Sequence, residues 1–200
     1  KLNTAGRICV NCTEATPYSI PWQVALVFRN HPNSIHCGGT LISDRHVLAA
    51  AHCASNVDVM VGEHSLSDPS DGTRHKVCRT VNHRRYNDST FDYDFKILQL
   101  REPVQFGPRA APACLPTQNM GIGFLTGKLM TVSGWGDTGT GSSDTLYTGD
   151  IEGVSNAQCS DLYSSTPYSI TDAMLCAGDV ENGGTNACHG DSGGRFIFKF

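Results

Sequence analysis

The sequence predicts an all-β protein, a sandwich or a barrel. Three observations carry that reading: short β-favouring runs recur at even spacing, turn residues punctuate them, and helical periodicity is scarce. In chain order the runs are Trp22 to Phe28, Gly39 to Ile42, Val57 to Val61, Phe95 to Leu100, Met130 to Gly134, Ile151 to Val154, Met174 to Ala177 and Phe196 to Phe200. The plainest turns are Asp68-Pro69-Ser70-Asp71-Gly72 and Gly139-Thr140-Gly141-Ser142-Ser143. Asn156 to Tyr163 is predicted as one or two helical turns starting at an Asn cap. Pro108 to Gly127, rich in Pro, Gly and Ala, reads as a connector between two halves.

A chain of 200 residues can bury a sizeable core, as one domain or as two small barrels sharing an interface. Charged residues make up 17%, below the globular norm of about 25%. The formal net charge of −4 leaves no electrostatic footprint for nucleic acid, and His83-Arg84-Arg85 is too short a basic cluster to change that. No apolar run reaches membrane-spanning length. Lys1 stands where an initiator Met would, with no signal peptide, as expected of a mature or excised piece. Nine scattered cysteines point to an oxidising compartment, and an odd number leaves at least one without an intrachain partner. The sequons Asn11-Cys12-Thr13 and Asn87-Asp88-Ser89 agree with secretion.

Three segments carry chemistry: Leu48-Ala49-Ala50-Ala51-His52-Cys53, Phe91 to Leu98 around Asp94, and Ala187-Cys188-His189-Gly190-Asp191-Ser192-Gly193-Gly194. Each has a plainer reading alone. His52 could be a core histidine, Asp94 a turn residue before a strand, and the Gly/Ser run a tight loop. Together, in the order His, Asp, Ser, they match one known chain order of a catalytic triad.

With Pro21-Trp22-Gln23-Val24-Ala25-Leu26, Cys37-Gly38-Gly39-Thr40-Leu41-Ile42, Ala113-Cys114-Leu115-Pro116 and Val132-Ser133-Gly134-Trp135-Gly136, the chain resembles the chymotrypsin-like (trypsin-fold) serine proteases, and secreted invertebrate members among them. The resemblance runs from about Ile8 to Phe200. It implies two antiparallel six-stranded β-barrels, the first about 20–107 and the second about 128–200, behind the end of an activation segment at 1–7. It implies a catalytic His52, Asp94 and Ser192, an oxyanion hole from the N–H groups of Gly190 and Ser192, and an activation pairing between Asp191 and a new terminus at Ile8. The floor of the primary specificity pocket falls at Asn186, whose neutral amide does not support selection of Arg or Lys. Disulfides Cys37–Cys53 and Cys159–Cys176 are implied. Cys114 is expected to pair with Cys9 or Cys12, Cys188 with a cysteine beyond Phe200, and Cys78 has no evident partner.

The chain also departs from the family pattern. Arg7-Ile8-Cys9-Val10-Asn11-Cys12 replaces the usual Arg-Ile-Val-Gly-Gly; cleavage after Arg7 is still expected. Lys96 stands where a small residue is usual and Arg195 where a proline is usual, so each needs a partner or a route to water. Relatives continue for tens of residues past the position of Phe200, so the second barrel is expected to be incomplete, with an open edge.

No cofactor is expected, with calcium the alternative: Glu63, Asp68 and Asp71 resemble the region of a calcium loop whose later glutamates are not matched. His31, His36, His46, His64, His75 and His83 lack metal-ligand spacing and are expected at the surface. Trp22 and Trp135 are expected to pack. The reading is a secreted, monomeric serine endopeptidase, made as a zymogen and working through an acyl-enzyme on protein or peptide substrates. Protein protease inhibitors are possible partners; nucleic acid and membrane are not. The alternative is a non-catalytic homologue acting as a binding or regulatory protein, suggested by the activation segment, Lys96, Arg195 and the end at Phe200. The intact triad favours the enzyme.

Overall fold

A computed structural model of the chain describes residues 12–68, 70–116, 122–137, 141–180, 191–194 and 196–197. After a short β1 (Thr13–Glu14) come β2 (Gln23–Phe28), β3 (His31–Leu41), β4 (His46–Ala49), β5 (Val57–Val61), β6 (Thr73–Asn82) and β7 (Lys96–Leu100). These six close an antiparallel barrel in the order β2-β3-β4-β7-β6-β5.

Strand β2 shows why the barrel holds. Its Val24 and Leu26 face the barrel core with Leu41, Val47, Val59 and Leu98, while Ala25 faces outward onto Trp135 and Leu146. A strand covered on both faces has no polar register, so it reads as a continuous apolar run. Each fully buried Val or Leu contributes about 1.5–3 kcal/mol. Register shifts after Leu26 and Val27 bend β2 against β3, which helps the sheet curl shut.

The second sheet is built from β8 (Leu129–Gly134), β9 (Tyr147–Val154), β10 (Cys176–Ala177) and β11 (Phe196–Ile197), with β1 added at one side. Its order is β1-β9-β8-β11, with β10 also paired to β9. Among the described residues this sheet does not close. Met130, Val132 and Ile151 form its apolar face.

A helix, α1 (Asn156–Tyr163), follows β9. Its cap is Ser155 rather than the Asn156 expected from the sequence: the Ser155 hydroxyl accepts from the N–H of Gln158 at 3.2 Å. Asn156 instead donates to the carbonyls of Thr171 and Met174. Buried Cys159 is joined to Cys176 and fastens the helix to β10.

Several elements differ from expectation. β1, β4 and β6 form strands that were not predicted, β3 begins at His31 and β9 at Tyr147. β6 escaped notice because its sequence is polar and only Val77 on it is buried. His64, expected at the surface, is 7% exposed, and its Nε2 meets Glu14 Oε1 at 3.0 Å. Cys12 is disulfide-bonded, and its disulfide partner is not Cys114. Cys78 is exposed, its thiol donating to the Gln99 carbonyl.

Polar ties join barrel and second sheet. Ser133 Oγ donates to Gln23 Oε1 at 3.0 Å, and Trp135 Nε1 to the His64 carbonyl at 3.0 Å. Trp135 is 1% exposed, as its expected packing role requires.

Candidate active site

Strand β4 runs into the turn Ala50–Cys53, which presents His52 at the barrel's end. The disulfide Cys37–Cys53 ties that turn to β3, with Cα atoms 6.3 Å apart. Asp94 arrives two residues before β7. Its Oδ2 lies 2.6 Å from His52 Nδ1, and its Oδ1 accepts the His52 backbone N–H at 2.9 Å. Burial pushes the Asp94 carboxyl up. Bonds from the His52 ring, the His52 N–H and the Ala51 N–H outweigh that and hold it below the usual carboxylate range. An ionised carboxylate only accepts, so Nδ1 carries the proton and Nε2 of the neutral ring is left with a lone pair.

The loop that delivers Asp94 is strained. Phe91 and Tyr93 both have positive φ, 56° and 51°, which costs non-glycine residues of order 1–3 kcal/mol each. Aromatic contacts hold the loop: Tyr93 stacks on His83 at 4.8 Å with the Arg85 guanidinium over its ring, and Phe91 sets its edge against His52 at 5.7 Å.

Ser192 reaches the same place from the other side of the molecule. Its carbonyl accepts the Gly38 N–H of β3 at 2.7 Å. The next residue, Gly193, has φ +80°, and a Cβ there would lie 2.5 Å from the Gly38 carbonyl oxygen. Only glycine permits this approach. His52 and Ser192 line one cleft of about 450 Å³, together with Ile35, His36, Asp137 and Ser142. Asp191 is buried behind it, with Oδ1 accepting the Gly136 N–H at 3.0 Å.

Lys96 finds the partners its placement demands. It is 1% exposed, and Nζ donates to the carbonyls of Cys53 and Ala54, the two residues after His52. Burial pushes the ammonium pKa down, and the Asp94 charge partly restores it. His36 caps the same turn, its Nε2 accepting the Ala54 N–H at 2.9 Å. Burial lowers its pKa, and the neighbouring His52 and Lys96 charges add to that. The sequence reading did not place His36 in the site. Its adjacency to Cys37, whose partner follows His52, was the available signal.

The acidic turn does not fit calcium. Asp71 is already filled: Oδ1 takes the Tyr18 hydroxyl, with Arg109 at 3.6 Å, and Oδ2 takes the N–H groups of His64 and Ser65. Of Glu63, Asp68 and Asp71, Glu63 offers a buried oxygen, Oε1, with no hydrogen-bond partner. Burial, then the charges of Asp71, Asp68 and Asp144, push its pKa up to about 8. At the His52 turn, Cys37, His52 and Cys53 have metal-competent spacing, but the two cysteines share the disulfide.

The structure thus brings His52 and Ser192 to one cleft, sets Asp94 behind His52 and buries Asp191 nearby. Ile8, Asn186, Gly190, Arg195, Cys9 and Cys188 lie outside the described residues.

The trypsin family model matches residues 9–199. The chain is 33% identical over 201 residues to the clotting factor G beta subunit of Tachypleus tridentatus, covering 92% of this chain and 64% of that protein. It is 38% identical over 202 residues to trypsin 5G1 of Aedes aegypti, covering 98% of this chain and 73% of that protein. Among solved structures it is similar to neuropsin, a serine protease expressed in the limbic system of mouse brain. That match has a TM-score of 0.80 at 29% identity and covers 94% of this chain and 82% of the other.

Proposed function

The chain belongs to the trypsin family of serine proteases, and on that premise we propose that it is a secreted serine endopeptidase working through an acyl-enzyme on Ser192. The observation that carries the reading is the 2.6 Å pairing of Asp94 with His52 Nδ1, beside a cleft that His52 shares with Ser192. Serine is a weak nucleophile at neutral pH, so attack needs a base. His52 Nε2 takes the Oγ proton as the Ser192 oxygen bonds to the scissile carbonyl carbon. Asp94 holds the ring in the required tautomer and stabilises the imidazolium that forms. The same proton then passes to the leaving amine as the C–N bond breaks. Water, activated by His52, hydrolyses the resulting ester and restores Ser192.

The negative oxygen of the tetrahedral intermediate is assigned to the N–H groups of Gly190 and Ser192, each such donor contributing about 3–4 kcal/mol. Asp191 is assigned the activation role, pairing with an Ile8 terminus released by cleavage after Arg7. Asn186 is assigned to the specificity pocket. The disulfides Cys37–Cys53 and Cys159–Cys176 support an oxidising, extracellular setting. Among the described residues no helix is long and apolar enough to cross a membrane.

The test is cleavage of a mixed peptide library by the protein cut after Arg7. Hydrolysis that disappears in both Ser192→Ala and His52→Ala is expected. Hydrolysis that survives either change contradicts the reading. The residues found before the cleaved bonds will report what the Asn186 pocket accepts, with no enrichment of Arg or Lys expected.

A further inference from the structure

Away from the catalytic cleft, one end of the barrel gathers positive charge around a single buried carboxylate. Asp58 of β5 has a side chain 6% exposed. Its Oδ1 accepts Arg29 Nε at 3.1 Å, and its Oδ2 accepts Arg74 Nε at 3.1 Å. Both guanidiniums are fixed a second time. Arg29 Nη2 donates to the Val77 carbonyl at 2.7 Å, and Arg74 Nη2 to the Arg29 carbonyl at 3.3 Å. Yet these side chains are 42% and 33% exposed. Lys76 and Arg101, both exposed, complete the wall of a groove of about 520 Å³ with Val77 at its base.

One negative and four positive groups thus line one concavity, in a chain whose formal net charge is −4. Asp58 neutralises only one of the four. Its main effect is to hold two planar forks in fixed orientation, so little side-chain freedom is lost when an anion binds. The groove borders the residues just after β7, whereas Asp94 lies just before that strand. The two sites share no lining residue: none of Arg29, Asp58, Arg74, Lys76, Val77 and Arg101 borders the cleft of His52 and Ser192.

We propose that this groove is a docking site for an acidic polypeptide segment, whose carboxylates pair with Arg29, Arg74, Lys76 and Arg101. The convergence of the cations on one cleft, rather than along a line, suits a short peptide better than a long polyanion. The apolar base at Val77 and the arginine stems suit a segment that mixes carboxylates with apolar side chains. If the segment belongs to a protein substrate, it tethers that substrate beside the cleft and raises its effective concentration there. That last step rests on the proteolytic reading; the binding itself does not.

Fluorescence anisotropy of a labelled oligoglutamate peptide with the full chain tests the proposal without requiring activity. Binding that weakens as salt rises is expected. Arg29→Gln with Arg74→Gln should weaken it by about tenfold or more, as should Lys76→Gln with Arg101→Gln, which leaves the Asp58 pairing intact. Lys128→Gln, exposed on the second sheet, should leave it unchanged. Three outcomes overturn the proposal: no binding, equal loss in the Lys128 variant, or tighter binding of a sulfated oligosaccharide of matched charge at the same residues. Retained peptide binding in a protein that cleaves nothing would leave docking intact and count against hydrolysis alone.

Discussion

At the scale of single residues, the account turns on what surrounds His52. Asp94→Asn keeps the shape but replaces an obligate acceptor with an amide that can present a donor, which favours the wrong tautomer. In the triad template that change lowers kcat about 10⁴-fold, and stopped assays on the variant should show a loss of that size with little change in KM. Lys96 gives a subtler expectation. Lys96→Met removes a desolvated charge, which favours the fold, and strips donors from the Cys53 and Ala54 carbonyls, which costs about 1–3 kcal/mol apiece. Those effects oppose one another, so thermal stability should move little. The turn carrying His52 should loosen, and kcat/KM should fall roughly tenfold or more. A large loss of stability with unchanged kcat/KM would assign Lys96 to packing alone. The need for a Lys96 partner was readable in the sequence. The identity of that partner was not, because two backbone carbonyls carry no sequence signature.

At the scale of elements, what could be read depended on burial. β2, β5 and β7 are apolar and enclosed, and their runs stand out in the sequence. β6 is a full barrel strand, but Thr73 to Asn82 carries Arg, His, Lys and Asn, with Val77 alone buried. Pairing with β5 and β7 fixes it, and pairing leaves no mark on composition. The same polar strand supplies Arg74 and Lys76 to the cationic groove. The cap of α1 was misread by one residue because Ser155 and Asn156 are both good cap formers. Disulfides separate element from site. Cys37–Cys53 and Cys159–Cys176 close loops of similar length, 16 and 17 residues apart. Loss of either should cost about 3 kcal/mol. Cys37→Ser with Cys53→Ser should also depress kcat/KM strongly, because that bridge positions the His52 turn. Cys159→Ser with Cys176→Ser should not. Paired denaturation curves and kinetics distinguish the two.

At the scale of the whole molecule, the candidate site is a seam. His52 and Asp94 come from the closed barrel, while Ser192 lies between strands β10 and β11 of the second sheet and is held against β3 by the Gly38 bond. Gly193→Ala tests that contact. It forces a Cβ into a positive φ and towards the Gly38 carbonyl, so it should destabilise the fold by about 1–3 kcal/mol and abolish activity. The chain order His, Asp, Ser in the sequence announced this arrangement; the strain at Phe91 and Tyr93 that supports it did not show.

Glu63 lies beside Trp135's tie to His64 and contributes to the pH dependence of stability. Its folded pKa of about 8 exceeds the ordinary 4.5, so the folded state binds more protons than the unfolded one between those values. The part of the stability that Glu63 supplies should therefore fall as pH rises from about 5 to 8. Glu63→Gln should flatten that decline and leave the variant more stable than the parent at pH 8, as thermal melts across the range will show.

The central claim, a working Ser192 activated by His52, is tested most directly by reaction with a fluorophosphonate. The full-length protein, cut after Arg7, is treated with the probe and mapped by peptide mass spectrometry. The account predicts near-stoichiometric label on Ser192 and none in a folded His52→Ala variant. A folded parent protein that takes no label, or takes it at a residue other than Ser192, would contradict it.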